Sequence, residues 1–320
     1  MKKILTMLLA AAMILTLSSA ALAEDAHLTI AYQYGLAYAP VVMAMNENFI
    51  QNAYAEATGS TLEVEWVQMS SGADINTGVM SGTVDVGFMG VGPAITGISK
   101  NVGYKIFTTL SGQEHGLMTR DDSINSLEDI VGSDKQIALV NIGSIQHIIL
   151  AKCLSDNGYD AHALDANLVA MKHPDGMNAL LTGSLPIHLT TNPYIYRERE
   201  TEGLHEIEAL KEAWPGDNSF IVGVAAIDLH DNQPEVYKAL CDGMNAAIEY
   251  VNGNIEATAE VTSQYDGNDV ENEIRYLGMG SYSAATHGVE TMARFMYDNA
   301  FIEADPGSYA DLVFDNVQGD

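Results

Sequence analysis

Apolar and polar positions along the chain follow two rhythms in alternation. Leu62, Val64 and Trp66 alternate with Glu63 and Glu65, the two-residue period of a strand with one buried face. Strands are predicted over 28–33, 61–69, 84–89 and 104–110. Between them, 39–59 reads as one helix stopped by Gly59, and 73–81 as a second helix. A second series begins near Gly112: strands at 135–140, 167–172, 186–190 and 219–227, with helices at 144–157 and 175–182. Asp175 is expected to cap the last of these helices, and the charged segment 196–217 to form a solvated connection. Beyond Gln233 the chain reads as almost wholly helical. Val236, Leu240, Met244, Ile248 and Val251 mark one buried face, with Pro234 in the first turn. Strands that alternate with helices predict α/β architecture with mostly parallel sheets, whose ligands gather beyond the strands' C-terminal ends.

The pattern also repeats. "MSGTVDVGFMG" (80–90) aligns without gaps to "LTGSLPIHLTT" (181–191), 101 residues later. Each is a helix end, a glycine stop and a short strand. "TIAYQYG" (29–35) matches "IALVNIG" (137–143) at an offset of 108, in the same order. Two lobes of similar βαβ design are expected.

Residues 1–23 change the picture of where the protein works. Lys2 and Lys3 precede an apolar run from Ile4 to Leu17, and Ala21-Leu22-Ala23 offers a cleavage site. This is the pattern of a secretory leader, too short for a membrane span. No cysteine follows it, so no lipid anchor is expected and the mature protein should be exported and not membrane-inserted. Removing Lys2 and Lys3 from the 14 basic residues leaves 12 against 43 acidic ones, a net charge of about −31. That charge argues against nucleic acid and anionic membrane as partners. Cys153 and Cys241 each fall on the apolar stripe of a predicted helix, and two buried free thiols in separate lobes are expected. No CxxC pair occurs, which argues against a cysteine-type zinc site.

With the two repeats placed in two lobes, their strand ends converge. The first contributes Gln33, Tyr34 and Tyr38, then Ser70 and Ser71, then Gly90, Val91 and Gly92. The second contributes Asn141 and Ser144, then Thr191, Asn192 and Tyr194. These are amides, hydroxyls, tyrosines and bare backbone N–H groups, set where helices begin and where the helix dipole presents its positive end. None of the loops so chosen contains lysine or arginine, and Asp74 is the one acid close by. Pro93 and Ile95 break any G-x-G-x-x-G reading of Gly90–Ile95, and no P-loop, G-x-S-x-G or H-E-x-x-H occurs. No metal site and no cofactor is expected. An exported lyase or hydrolase using His147 or Glu114 is the alternative; it would need an acid/base pair across the cleft, which the sequence does not supply. His115 and His173 rank below His147 as candidates, and the lack of a predicted span argues against a built-in sensory receptor.

Three stretches carry a family resemblance: "AYQYGLAYAPVVMAMNENFI", "GADINTGVMSGTVDVGFMGVGPAI" and "GSIQHIILAKCLSDNGY". With "MNALLTGSLPIHLTTNPYIYRE" they make the mature chain resemble the substrate-binding proteins of ATP-driven (ABC) importers in the nitrate/sulfonate/taurine group. The resemblance implies a two-lobed, type II periplasmic-binding-protein fold that closes on a small solute. Lobe one would be 24–111 with 221–320 and lobe two 112–220, joined by a two-segment hinge at Leu110–Glu114 and Ser219–Gly223. It implies a periplasmic monomer that delivers its solute to a permease with its ATPase. By position the contacts would be Gln33, Tyr34, Ser70, Ser71, Gly90, Val91, Asn141, Ser144, Thr191 and Asn192. A sulfonate held by helix N-termini and hydroxyls and a planar heterocycle stacked on Tyr34 or Tyr38 both fit. Thiamine-precursor binders share this fold family, whereas the related pyrimidine-synthesising enzymes use a cysteine-rich motif absent here.

Overall fold

The computed structural model describes residues 26–320. The leader expected at 1–23 lies outside them. The first sheet takes up β1 (Ala26–Tyr32), β2 (Leu62–Gln68), β3 (Val86–Gly90) and β4 (Tyr104–Ser111). Helices α1 (Ala39–Asn46), α2 (Phe49–Thr58), α3 (Gly72–Ser81) and α4 (Val91–Ser99) connect them. The chain then enters a second sheet of β5 (His115–Thr119), β6 (Ile137–Leu139), β7 (Leu168–Ala170), β8 (Ile187–Thr191) and β9 (His205–Ile207). Its helices are α5 (Ile145–Asp156), α6 (His173–Thr182) and α7 (Tyr194–Arg199). It returns to the first sheet as β10 (Ile221–Ala226). Six helices follow: α8 (Ile227–Asn232), α9 (Pro234–Gly253), α10 (Ile255–Asp266), α11 (Val270–Leu277), α12 (Val289–Asp298) and α13 (Tyr309–Leu312).

The strand orders are β2-β1-β3-β10-β4 and β7-β6-β8-β5-β9. In each sheet the first three strands run parallel, and the fourth position holds an antiparallel strand. That strand, β10 or β5, is the one that has just crossed from the other sheet. The two-lobed α/β fold is therefore built on one plan used twice, as the repeat implies: β1 corresponds to β6, and β3 to β8. Both repeat glycines act as helix stops, Gly82 and Gly183 standing at φ 73° and 76°. The ladders refine the offset of 108. Ile30 lies opposite Val86 and Ile137 opposite Ile187, so the strands correspond at 107 and the second lobe has one more residue before its loop glycine.

Burial explains where the pattern misled. The 39–59 segment is two helices, because Asn48 breaks it at φ 55°, a conformation asparagine tolerates. Lys172 flanks α6 and Asp175 lies inside its first turn without a side-chain cap bond, correcting the expected Asp175 cap. The 196–217 segment is no simple solvated connection: it contains β9 and buries Tyr196, Ile207, Leu210 and Trp214. Glu198, wholly buried there, meets His188 Nδ1 at 2.6 Å. Both cysteines are free, Cys153 buried on α5 and Cys241 half-buried on α9. Burial pushes both thiols up to about 11.

Helix α9 buries all five positions of its predicted face. It packs so closely on α2 that a methyl at Gly243 would sit 2.6 Å from the Ile50 Cα. Among the described residues no helix is long and apolar enough to cross a membrane.

Candidate ligand-binding cleft

Between the two sheets, at the C-terminal ends of their parallel strands, lies a cavity of about 290 Å³. Nine of the thirteen expected residues line it: Gln33, Tyr34, Tyr38, Ser70, Gly90, Asn141, Ser144, Thr191 and Asn192. Each follows or ends a strand, which is why two similar sheets placed face to face bring them together. Helix α5 opens on the space, since its cap Ser144 and first residues Ile145 and Gln146 all border it. Gly72, the first residue of α3, does the same from the other lobe. Tyr38 is almost fully buried, and burial holds its hydroxyl protonated far above the ordinary range.

Several lining groups are already partly committed. Ser144 Oγ accepts the His147 N–H at 3.3 Å, and Thr191 donates its hydroxyl to the Glu114 carbonyl at 2.9 Å. The Asn192 amide donates to Gln113 Oε1 at 2.8 Å, which ties the start of one crossover to the end of β8. Oδ1 of Asn192 and of Asn141 are both buried without a partner among the described residues. Buried acceptors of this kind cost stability until a donor reaches them.

Ser71, Val91, Gly92 and Tyr194 do not line the cavity. The Ser71 hydroxyl is spent on the start of α3, donating to Asp74 Oδ2 and accepting the Asp74 N–H. The Val91 N–H bonds the Phe220 carbonyl, so it is not free for a solute. Gly92 faces the other lobe, where a methyl would come 3.1 Å from Ile148 Cγ1 of α5. Gly90 is closer still, its would-be methyl 2.6 Å from Ile145 Cγ2. These glycines therefore let α4 and α5 dock across the cleft. Tyr194 supports the site from behind, its ring stacked on His173 with centroids 5.6 Å apart.

The cavity also holds residues not expected to contact a solute: Lys172 and Gln146, the low-ranked His173, and Phe220 and Ile221 of the expected hinge. Lys172 overturns the expectation that the cleft loops lack a cation. Its exposed ammonium lies 5.8 Å from the Tyr34 ring centroid, across the mouth between the lobes. The repeat could have found it: Ser70 stands two residues after β2, and Lys172 two residues after the matching strand β7. The Gln146 amide donates to His173 Nε2 at 2.8 Å, which places the imidazole proton on Nδ1, a buried atom without a partner among the described residues. Burial, then the neighbouring His188, lowers the His173 pKa to about 3, so the ring is neutral.

Of the enzyme candidates only the lower-ranked His173 lines the cavity, and its Nε2 is taken by Gln146. His147 is buried outside the cavity, accepting the Gly143 N–H at 3.0 Å and donating to Asp165 at 2.9 Å. The Glu114 carboxylate is bonded to Arg199. Among the described residues no group of His, Cys, Asp and Glu is arranged to hold a metal.

Comparison with known proteins agrees with this geometry. The model of the NMT1-like family matches residues 21–264. The taurine-binding periplasmic protein of Escherichia coli (strain K12) is 28% identical over 220 residues, 68% of this chain. The chain spans about 64% of that curated relative's length. The MOPS-bound alkanesulfonate-binding protein SsuA from Xanthomonas axonopodis pv. citri superposes with a TM-score of 0.71 at 16% identity, covering 93% of this chain and 100% of its own. The periplasmic nitrate-binding protein NrtA from Synechocystis PCC 6803 gives 0.69 at 14% identity, with coverages of 90% and 84%.

Proposed function

The chain belongs to the NMT1-like family, and from that premise we propose that it is the exported solute-binding component of an ABC importer. It takes a small anion between its lobes in the periplasm and hands it to a permease with its ATPase. The supporting observation is one cavity lined by both lobes, with two helix starts and one lysine around it. At about 290 Å³ it sits at the lower end of the range for ligand pockets, which suits a solute of few heavy atoms. The hydroxyls of Ser70 and Ser144, the first turns of α3 and α5, and Lys172 suit a tetrahedral or planar oxyanion. The taurine, alkanesulfonate and nitrate binders that this chain resembles point to the same class.

Binding would be hinge closure: contacts in both lobes favour the closed form, and the permease reads it. We assign the hinge to Leu110–Glu114 and Ser219–Gly223, and the binding unit to the monomer. Calorimetry with taurine, a short alkanesulfonate, nitrate and a neutral heterocycle tests the assignment, with small-angle scattering of each mixture. Binding of at least one anion with compaction is expected. Binding of the heterocycle alone refutes the anion, and no compaction with any of the four refutes the receptor. Neither His147 nor Glu114 reaches the cavity, so the geometry favours binding over an acid/base reaction.

A further inference from the structure

The lobes also touch outside the cavity. His162, which follows α5 in the second lobe, meets Asn299 and Phe301, which follow α12. Helix α12 packs on α4 of the first lobe. His162 Nε2 lies 2.7 Å from the Asn299 carbonyl, and its Nδ1 lies 2.8 Å from Asp165 Oδ2. Asp165 Oδ1 is 2.9 Å from His147 Nε2, and His147 Nδ1 accepts the Gly143 N–H at 3.0 Å. The Phe301 ring covers both imidazoles, tilted over His162 at 4.5 Å and edge-on to His147 at 5.4 Å.

The chemistry of the partners fixes the protons. A backbone carbonyl and a carboxylate only accept, so His162 satisfies both bonds only when both ring nitrogens carry hydrogen. His147 is different: a backbone N–H donates to it, so its Nδ1 is bare and the ring is neutral. The chain of bonds thus runs from a first-lobe carbonyl, through a charged imidazolium and a carboxylate, to Gly143 of the cleft loop Asn141–Ser144. We propose that His162 is a proton-operated clasp between the lobes, closing on Asn299 when doubly protonated and holding the cleft loop through Asp165, His147 and Gly143.

The charges around His162 agree. The Asn299 carbonyl raises its pKa above 6.5, with Asp165 and Asp160 adding to this against partial burial. Asp160 also accepts the His162 backbone N–H at 2.8 Å. From α5 the neutral His147 faces the pair, while Lys152 of that helix lies over the Phe295 ring. From the first lobe a carbonyl and an aromatic ring face it. When the lobes part, His162 loses Asn299 but keeps Asp165 and Asp160 of its own lobe, so its pKa falls to a lower open-state value. The closed form is therefore fully favoured below that value, and the preference is lost as pH rises through the raised closed-state pKa.

The clasp rests on the closure reading proposed above, but its test needs no solute. Imidazole proton resonances, assigned with His162→Gln, give the His162 pKa in the free protein. Ligand-free small-angle scattering at pH 5.5 and 8.5 gives lobe separation. His162 should titrate above 6.5, and the closed-to-open ratio should rise roughly two- to tenfold on acidification, the worth of one hydrogen bond. His162→Gln should show no such pH response, and Asp165→Asn should move the midpoint to lower pH. A His162 pKa at or below 6.5, or an unchanged pH response in His162→Gln, overturns the clasp. A chain that clasps yet compacts with none of the four solutes refutes the transport reading and leaves the clasp standing.

Discussion

Gly90→Ala separates closure from folding. Gly90 stands at φ −57° and ψ 144°, a conformation open to any residue, so alanine strains nothing in the backbone. The obstacle lies across the cleft. The new methyl would sit 2.6 Å from Ile145 Cγ2 and 2.8 Å from Ile145 Cβ, where carbon atoms normally keep about 3.5–4.0 Å. To accept it, the lobes must part by about 1 Å at this point. Overpacking of that degree costs about 1–3 kcal/mol. Charged to the closed state alone, it weakens solute binding by about fivefold to 150-fold, at 1.4 kcal/mol per decade. The open form escapes the clash, and alanine restricts the unfolded chain, which is worth about 0.4–1 kcal/mol. The unfolding temperature should therefore hold or rise while affinity falls. Calorimetry with taurine, or whichever panel anion binds, and thermal unfolding of the same sample read the two effects. Gly253→Ala, where a methyl meets nothing, is the control. Unchanged affinity would show that this contact is absent from the bound state. A fall in unfolding temperature matching the loss of affinity would show that it belongs to the fold.

Three further substitutions divide the site from its support. Lys172→Gln should weaken anion binding about two- to fivefold, as suits an exposed charge, and leave a neutral solute unaffected; equal loss for both classes in calorimetry would remove Lys172 from charge recognition. Asn141→Ala removes the partnerless Oδ1 from the cavity wall and should cost about two- to tenfold in affinity with an unaltered unfolding temperature. Unchanged affinity would mean that this loop does not touch the solute. Glu198→Ala removes the buried acceptor of His188 and should cost about 3–5 kcal/mol in urea unfolding; a loss under 1 kcal/mol would mean that this bond adds nothing net to stability.

Much of this architecture was legible because each lobe repeats it. The glycine stops at Gly82 and Gly183, the strands behind them and the convergence of their ends follow from local pattern alone. What escaped depends on neighbours distant in sequence. Lys172 reads as the end of a strand until β6 and the opposite Tyr34 are placed beside it. Segment 196–217 is charged enough to look solvated, yet β5 covers part of it and Glu198 finds a histidine partner inside. The glycines at 90 and 92 look like ligand loops, but their want of side chains is used by α5, more than fifty residues on. Periodicity reports which face of an element is buried, not what buries it.

The charge of the chain sharpens what capture must be. A net −29 repels an approaching anion, so any attraction has to be local. Lys135, Lys152, Lys211, Lys238, Arg199, Arg275 and Arg294 are each paired with a nearby carboxylate. Lys172 makes no ion pair among the described residues and stands at the mouth. Salt screens the long-range repulsion over about 8 Å at physiological ionic strength, while the helix starts and Lys172 act at contact range. The association rate of an anion should therefore rise as salt increases from 10 to 150 mM, the reverse of a steered encounter. The dissociation rate should change less, because the bound solute is shielded inside the cavity. Stopped-flow measurement of both rates in wild type and Lys172→Gln decides it. An association rate that falls with salt would mean that a positive field reaches beyond the cleft mouth, and that the local account of capture is wrong.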